Sequence, residues 1–155
     1  GARALGNRSI LASPVFPEMK DKINNEVKHR ESWRPFCPSI LEEYYDKYIE
    51  AYSDSPFMIM AFRVNKDLHN KIPSCVHIDG TARPQVVRKE SNKKYWKLIK
   101  EYEKLTGYGV IINTSFNIQG EPIVESPEHA IRCFSGTGID ILVIGDYVVK
   151  KPLTG

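Results

Sequence analysis

Residues 92–113, NKKYWKLIKEYEKLTGYGVIIN, decide the fold class of this chain. The first part, residues 92–106, has apolar and aromatic side chains at helical spacing, and Gly107 follows as a typical C-terminal stop. The shared face of this predicted helix carries Tyr95, Leu98, Ile99, Tyr102 and Leu105. The last part, residues 110–113, has the short apolar pattern of a buried strand. A helix that leads directly into a buried strand predicts an α/β domain.

The sequence on both sides of this stretch supplies the other elements. We predict further helices over residues 18–27, 39–48 and 126–134. Ser39 and Glu42 have the spacing of a capping box, and Ser126 precedes Pro127 as an N-cap does. Further strands are predicted over residues 57–64, 75–78, 84–87, 139–144 and 147–150. Residues 1–155 are therefore expected to form one domain with a twisted mixed β-sheet and flanking helices.

Composition excludes several classes of protein. Hydrophobic residues make up 41% of the 155 residues and charged residues 26%, which indicates a globular domain rather than a disordered chain. No apolar run approaches the ~18 residues of a membrane span. The three cysteines, Cys37, Cys75 and Cys133, are odd in number and far apart in sequence. This usage favours a reducing, cytoplasmic location with three plain thiols.

The opening segment, residues 1–11 (GARALGNRSIL), has the composition of an anion-binding loop. Its glycines let backbone N–H groups approach phosphate oxygens, and Arg3 and Arg8 supply planar donor groups. The alternative is a pair of solvent-exposed arginines. Because phosphate-binding loops rarely begin at residue one, we expect the chain to be a domain taken from a longer protein.

A second basic cluster lies at residues 28–34. It overlaps residues 29–38, a predicted extended segment that prolines restrict. In extended backbone, residues two apart share a face, so Lys28 and Arg30 can present two positive groups to one anion, and Arg34 follows. Trp33 and Phe36 are expected to be buried and to hold the segment rigid. The alternative is a solvated basic edge.

Residues 77–83, HIDGTAR, form a third candidate cluster. We expect Ile78 to point inward, with His77 and Asp79 on the other face. Two such residues do not fill a metal coordination sphere, so a hydrogen-bonded structural pair is favoured for them over a metal or base role. Arg83, after the turn, is the better functional candidate.

The fourth cluster is residues 113–117, NTSFN, at the end of the predicted central strand. Ser115 and Asn117 share a face suited to a phosphate or ribose, with Phe116 towards the core. The alternative is an ordinary capping turn, and Glu121 farther along either positions a ligand amine or caps. Taken together, the cations favour a polyphosphate ligand, for which positioning and charge stabilisation supply most of the catalysis.

Four motifs, GARALGNRSIL, VKHRESWRPF, HIDGTARPQVV and NTSFNIQGEPIVESPEHAIRCF, occur in this order from residue 1 to about residue 150. Together they resemble the C-terminal domain of the NodU/TobZ-type carbamoyltransferases. The resemblance implies a YrdC-like fold that binds ATP with Mg²⁺ and carbamoyl phosphate, and that forms carbamoyl-adenylate with release of pyrophosphate. It also implies an N-terminal transferase domain, outside this chain, that holds an iron ion and passes the carbamoyl group to an acceptor hydroxyl. No metal ligands are expected in the present chain.

The resemblance also assigns roles to particular residues. The pairs Lys28/Arg30 and Ser115/Asn117 look like the KxR and SxN signatures of YrdC-like proteins. The positions expected to bind ATP and carbamoyl phosphate are Arg3, Lys28, Arg30, Arg34, Arg83, Ser115 and Asn117, and those expected to act in catalysis are Lys28, Arg34 and Arg83.

Two other interpretations remain open. One is a nucleic-acid-binding module of the same fold, which is disfavoured because aromatic residues do not interleave with the cations. The other is a domain that is inactive without its N-terminal partner.

Overall fold

A computed structural model describes residues 4–51 and 54–152 of the chain. The fold is α/β with a mixed sheet, as the sequence predicts. The strands are β1 (Ser9–Ala12), β2 (Cys37–Leu41), β3 (Phe62–Arg63), β4 (Thr81–Ala82), β5 (Gln85–Val87), β6 (Val110–Ser115), β7 (Ile141–Ile144) and β8 (Tyr147–Lys150). The α-helices are α1 (Glu18–Lys22), α2 (Tyr45–Tyr48), α3 (Lys93–Thr106) and α4 (Pro127–Ser135). A π-helix (Ile23–Lys28) continues α1, and 3₁₀ turns lie at Glu42–Tyr44, Lys66–Leu68 and Pro73–Cys75.

The central sheet has the strand order β1-β6-β2-β5, which places β6 between two neighbours. Strand β6 is antiparallel to β1, with Ser115 opposite Ser9, and antiparallel to β2, with Asn113 opposite Cys37. The β2 and β5 strands run parallel. Two smaller antiparallel pairs, β3 with β4 and β7 with β8, lie outside this sheet. The end of β6 is therefore the point where the sheet delivers a polar loop.

Side chains on β6 alternate between two packed layers. Ile111 packs with Tyr95 and Ile99 of α3 on one face of the sheet. Ile112 packs on the other face, in a cluster that contains residues of the π-helix and of α4. Because successive strand residues point to opposite faces, one short apolar strand serves both layers.

The predicted boundaries of α3 and the predicted start of α4 are confirmed. The Asn92 side chain accepts a hydrogen bond from the Tyr95 backbone N–H at 3.1 Å, and α3 ends at Gly107 in the left-handed conformation. The Ser126 side chain accepts from the His129 N–H, and Pro127 begins α4. The β7–β8 hairpin also forms, with β7 beginning two residues later than predicted.

The prediction of a helix over residues 39–48 is wrong at its start. Residues 39–41 belong to β2, where they pair with both β6 and β5. The Ser39 hydroxyl donates to Gln85 Oε1 at 2.7 Å instead of capping a helix. Tertiary pairing overrides the local capping pattern, and the α-helix is limited to Tyr45–Tyr48.

The strand predicted over residues 57–64 is confirmed only at Phe62–Arg63, and the strand predicted over residues 75–78 is wrong. Only Phe62–Arg63 is a strand in the first stretch, because its partner β4 has two residues, and Phe57, Ile59 and Met60 are exposed. The second stretch begins at the last residue of the Pro73–Cys75 turn and contains no strand. Ile78 is fully exposed rather than pointing inward.

A buried polar network ties the opening loop to the sheet. The Asn113 amide donates to Ser39 Oγ at 3.0 Å, to Gln85 Oε1 at 3.0 Å and to the Tyr95 hydroxyl at 3.1 Å. Gln85 in turn donates to the Leu5 carbonyl oxygen at 3.3 Å. Buried polar groups need such partners, so the network fixes the opening loop against β5.

Substituting Gly6 tests this anchoring. Gly6 has φ +91°, and a Cβ atom there would lie 2.4 Å from the Tyr95 ring, whereas at Gly107, with φ +79°, a Cβ would meet nothing within 4 Å. Gly6→Ala is expected to lower the free energy of unfolding by about 3 kcal/mol, through backbone strain and overpacking. Gly107→Ala should cost about 1 kcal/mol, from strain alone. Urea denaturation measures both, and equal losses would contradict the close packing of Gly6 on Tyr95.

Candidate functional site

The position of Lys28 depends on the π-helix. The chain leaves α1 with hydrogen bonds of wider spacing through Ile23–Lys28, and His29 then adopts the left-handed conformation, with φ 51° and ψ 49°. π-helical turns are rare and occur often at functional sites. The Lys28 side chain is turned inward and is only 4% exposed. The predicted extended geometry for Lys28 and Arg30 is therefore wrong, since a helix end and a left-handed residue separate their side chains.

The Lys28 ammonium group contacts the loop that follows β6. Its Nζ atom donates to the Ser115 carbonyl oxygen at 2.5 Å and to the Asn117 carbonyl oxygen at 2.9 Å. It also lies 2.8 Å from Asn117 Oδ1 and 3.2 Å from Ser115 Oγ. Lys28, Ser115 and Asn117, which lie far apart in sequence, therefore meet at one point.

The loop beyond β6 is ordered by its own side chains. The Ser115 hydroxyl donates to Asn117 Oδ1 at 2.5 Å, and the Asn117 amide donates to the Glu121 carbonyl oxygen at 2.7 Å. The Gln119 N–H donates to the Lys28 carbonyl oxygen at 3.2 Å. Phe116 is buried in the core as predicted. These bonds hold the polar side chains in one arrangement.

Asn24 is a fully buried residue that holds the turn after Lys28. Its amide nitrogen donates to the carbonyl oxygens of Ser32 at 3.2 Å and Arg34 at 2.9 Å. Its Oδ1 atom accepts from Arg30 Nε at 2.7 Å, and the Arg30 guanidinium lies 4.7 Å from the centroid of the Phe36 ring. Arg30 is thus fixed by a hydrogen bond and a cation–π contact.

Four of the predicted cations, Lys28, Arg30, Arg34 and Arg83, lie close enough to influence one another. Burial lowers the pKa of Lys28 to about 7, and the Arg30 charge contributes in the same direction. The oxygens around Lys28 are neutral, so they solvate the ammonium group without offsetting its burial. The pKa of Arg30 is lowered by burial, then by the charge of Arg34, and less by that of Arg83.

Glu31 supplies a carboxylate to this group, 3.5 Å from Arg34 Nη1, and both side chains are about half exposed. Among the residues that the structure describes, four cations therefore share one paired carboxylate. The cluster has an excess of positive charge, which favours an anionic ligand. Arg30 also lines a cavity of about 360 Å³, together with Asn25, His29, Glu31 and Gln119.

Arg83 lies next to the start of β2, exposed to solvent just beyond β4. Burial raises the pKa of the Cys37 thiol, while the charge of Arg83 and a hydrogen bond from it act in the opposite direction. Asp79 accepts hydrogen bonds from the Thr81 N–H at 2.9 Å and hydroxyl at 2.7 Å. Asp79 therefore shapes the turn that carries Arg83, and His77 closes the same turn through its backbone.

The opening loop contributes less to this cluster than its sequence suggests. Arg3 lies outside the described residues. Arg8 donates from Nη1 to the Val124 carbonyl oxygen at 2.9 Å and borders a different, largely apolar cavity of about 630 Å³ between β1, α4 and β7. The structure thus brings together Lys28, Arg30, Arg34, Arg83, Ser115 and Asn117, and it puts Arg8 elsewhere.

The residues that the structure describes hold neither a group of metal-ligating side chains nor a membrane-spanning helix. Within residues 4–51 and 54–152, no three His, Cys, Asp or Glu side chains are grouped as they would be around a metal ion. Of the helices described there, none has the length and apolar character to cross a membrane.

Comparison with known proteins identifies the family. The sequence matches the family described as carbamoyltransferase C-terminus over residues 1–151. This chain is a member of that family. The NodU-type relatives below agree with the resemblance that the four motifs carry.

An uncharacterized protein of Methanocaldococcus jannaschii is 49% identical over 153 residues, covering 99% of this chain and 25% of the relative. Nodulation protein NolO of Bradyrhizobium diazoefficiens is 46% identical over 154 residues, covering 97% of the chain and 28% of the relative. Nodulation protein U of Rhizobium tropici is 41% identical over 133 residues, covering 86% and 23%. The chain spans about a quarter of the length of these curated relatives.

From the sequence of this carbamoyltransferase C-terminal domain, one residue that orders the site, Asn24, is missed, and a second, Trp33, is placed wrongly. Asn24 was not singled out, although a polar residue between Ile23 and Val27 on a predicted apolar helix face is a signal of a buried hydrogen-bonding role. Trp33 was expected to be buried with Phe36, but Phe36 is 2% exposed and Trp33 is 66% exposed.

The buried Lys28 amine gives a pH-dependent stability. Its pKa is about 7 in the folded chain, against 10.5 as the ordinary value, so between these values the unfolded chain binds a proton that the folded chain does not. Stability contributed at this site should therefore rise with pH between about 7 and 10. The free energy of unfolding of the wild type, taken relative to that of Lys28→Met, is expected to rise by about 2 kcal/mol from pH 6.5 to pH 9.

Urea titrations at several pH values measure this difference. Lys97→Met, on the exposed part of α3, is the control and should give a curve parallel to that of the wild type. A difference for Lys28→Met that stays constant with pH would show that the amine remains charged in the folded chain.

Proposed function

We propose that this domain is the nucleotide-activating part of an O-carbamoyltransferase. It binds ATP and carbamoyl phosphate and produces carbamoyl-adenylate with release of pyrophosphate. The observation that carries the proposal is the contact of Lys28 with the Ser115–Asn117 loop, near the charges of Arg30, Arg34 and Arg83, in a chain of the carbamoyltransferase C-terminus family.

The reaction explains why several cations are needed. Hydrolysis of carbamoyl phosphate gives carbamate and inorganic phosphate. A carbamate oxygen then attacks the α-phosphorus of ATP, and the bond from that phosphorus to the β-phosphate bridging oxygen breaks. Negative charge builds on the α-phosphate and on the departing pyrophosphate. Cations that are fixed beforehand stabilise this charge without reorganising.

The proposed roles follow from exposure. Arg34 and Arg83 are exposed, so their guanidinium groups can form paired hydrogen bonds with phosphate oxygens. Arg30 is held by Asn24 and Phe36, and supplies a positioned charge at the cavity. Lys28 holds the Ser115–Asn117 loop, and the approach of a phosphate favours its protonated form. Mg²⁺ accompanies the triphosphate as its usual counter-ion.

The product requires a second site. Carbamoyl-adenylate is a mixed anhydride that water hydrolyses, so a protected route to the acceptor hydroxyl is an advantage. The curated relatives are about four times longer than the region that this chain matches. We infer that an N-terminal transferase domain of the same polypeptide receives the carbamoyl group and binds the acceptor.

The compact form of the cluster argues against the nucleic-acid interpretation. Proteins that bind RNA without catalysis use long basic surfaces that contact many phosphates. Here four cations lie close enough to influence one another, and one of them, Arg30, lines a cavity of about 360 Å³, a size suited to a small anionic ligand.

Calorimetric titration with ATP, alone and with carbamoyl phosphate, tests the proposal. We expect measurable heat with ATP and exchange of labelled pyrophosphate into ATP that depends on carbamoyl phosphate. No heat at millimolar ATP, in a sample whose circular dichroism shows a folded domain, would contradict the proposal. Binding without exchange would indicate a domain that needs its N-terminal partner for catalysis.

Arg83→Ala is expected to raise the dissociation constant for ATP by about 10-fold or more, because a charge-assisted phosphate contact is lost. Arg63→Ala is the matched control, since Arg63 is an exposed arginine on β3 outside the cluster. It should change ATP affinity less than 2-fold, about the scatter expected for a surface position. If Arg83→Ala lowers the melting temperature strongly, Arg83 has a structural role through Cys37 instead.

A further inference from the structure

The turn between Arg30 and Arg34 exposes a tryptophan. Trp33 is 66% exposed, whereas Phe36, three residues later, is 2% exposed. A large aromatic side chain in water forgoes the free energy of burial, so an exposed indole beside a ligand site is a candidate contact for the ligand.

The chain's other tryptophan shows the contrast. Trp96 is half-buried, its indole N–H donates to Glu43 at 3.2 Å, and the ammonium groups of Lys89 and Lys100 lie 5.3 Å and 5.8 Å from its ring centroid. Within the described residues, Trp33 makes no hydrogen bond and no ring contact of this kind. The polar edge and the faces of its indole are therefore left for a partner outside the domain.

The backbone that carries Trp33 is ordered. The buried Asn24 amide holds the carbonyl oxygens of the residues on both sides, Ser32 at 3.2 Å and Arg34 at 2.9 Å. The Arg34–Glu31 ion pair spans the same turn. A ring held on a fixed turn loses little entropy when a ligand stacks on it, which is how preorganised sites gain affinity.

The charges around this turn indicate the ligand's chemistry. Arg34 follows Trp33 directly, and Arg30 lies three residues before it beside the cavity. A ligand with phosphates at one end and a flat aromatic ring at the other matches this order of groups. Aromatic side chains next to phosphate-binding cations are a common way to hold a nucleotide or a nucleic-acid base.

We propose that Trp33 is the stacking platform for the base of the nucleotide whose phosphates the arginine cluster binds. This assignment rests on the proposed function and adds to it the residue that recognises the base. Inorganic triphosphate, which lacks a base, should then gain nothing from Trp33.

Fluorescence tests the proposal directly. The chain has two tryptophans, so Trp96→Phe leaves Trp33 as the sole indole. In this variant we expect ATP to change the emission of Trp33, with inorganic triphosphate having little effect at equal site occupancy. Binding constants for both ligands are measured by calorimetry, so occupancy is known independently of the signal.

Substitution provides the second readout. Trp33→Ala should weaken ATP binding by about 10-fold and triphosphate binding by less than about 2-fold, because stacking is lost and the charges are kept. Trp33→Phe should retain most of the ATP affinity, since it keeps an aromatic face.

Three outcomes would overturn the assignment. Unchanged ATP affinity in Trp33→Ala would show that the base does not contact the indole. Equal losses for ATP and triphosphate would show that the substitution disturbs the arginine turn instead. Wild-type protein that binds ATP no more tightly than inorganic triphosphate would rule out the base contact and leave the phosphate site intact. Wild-type protein that binds neither ligand would overturn the proposed function itself.

Discussion

The ammonium group of Lys28 joins the two parts of the chain on which the candidate site depends. One part is the end of the helical segment that begins at α1, and the other is the loop that leaves the central strand β6. Four oxygens of Ser115 and Asn117 lie within 3.2 Å of Lys28 Nζ, and none of them carries a charge. These oxygens solvate the ammonium form without neutralising it, so the approach of an anion favours protonation of the amine.

Other features of the site follow from that contact. With the helix end held in place, His29 turns the chain and Arg30 meets Asn24 and Phe36. Asn24 then holds the turn that carries Trp33 and Arg34. The buried Asn24 thus fixes the backbone that carries the exposed side chains of Trp33 and Arg34. The positions of the surface residues are set from inside the domain.

Much of the fold could be predicted because the signals are local. Both α3 and α4 begin at side-chain caps, and α3 ends at a left-handed glycine, so the information lies within a few residues of each boundary. The errors occurred where distant pairing decides. Ser39 has a capping pattern but is recruited into β2, and the apolar run at residues 57–64 finds a partner strand of only two residues. Neither outcome can be read from nearby sequence.

The sequence motifs anticipated which residues meet at Lys28 but not the geometry that brings them together. The pairing of Lys28 with Ser115 and Asn117 agrees with the two short motifs quoted from the sequence. Lys28 and Arg30 do not share one face of an extended strand, because Lys28 ends a π-helix and His29 is left-handed. Trp33 stayed on the surface because Phe36 alone fills the core beneath that turn. Arg3 lies outside the described residues, so its expected role remains a prediction.

The π-helix also makes chain length in this region a sensitive quantity. A π-helical turn accommodates one residue more than an α-helical turn, so it can be regarded as a single inserted residue. Removing one exposed residue there, such as Asn25, while the wider turns persist would rotate the following side chains by about 100° around the helix axis. Lys28 would then face away from the β6 loop. Point substitutions at exposed positions of this segment should be tolerated far better than any change in its length.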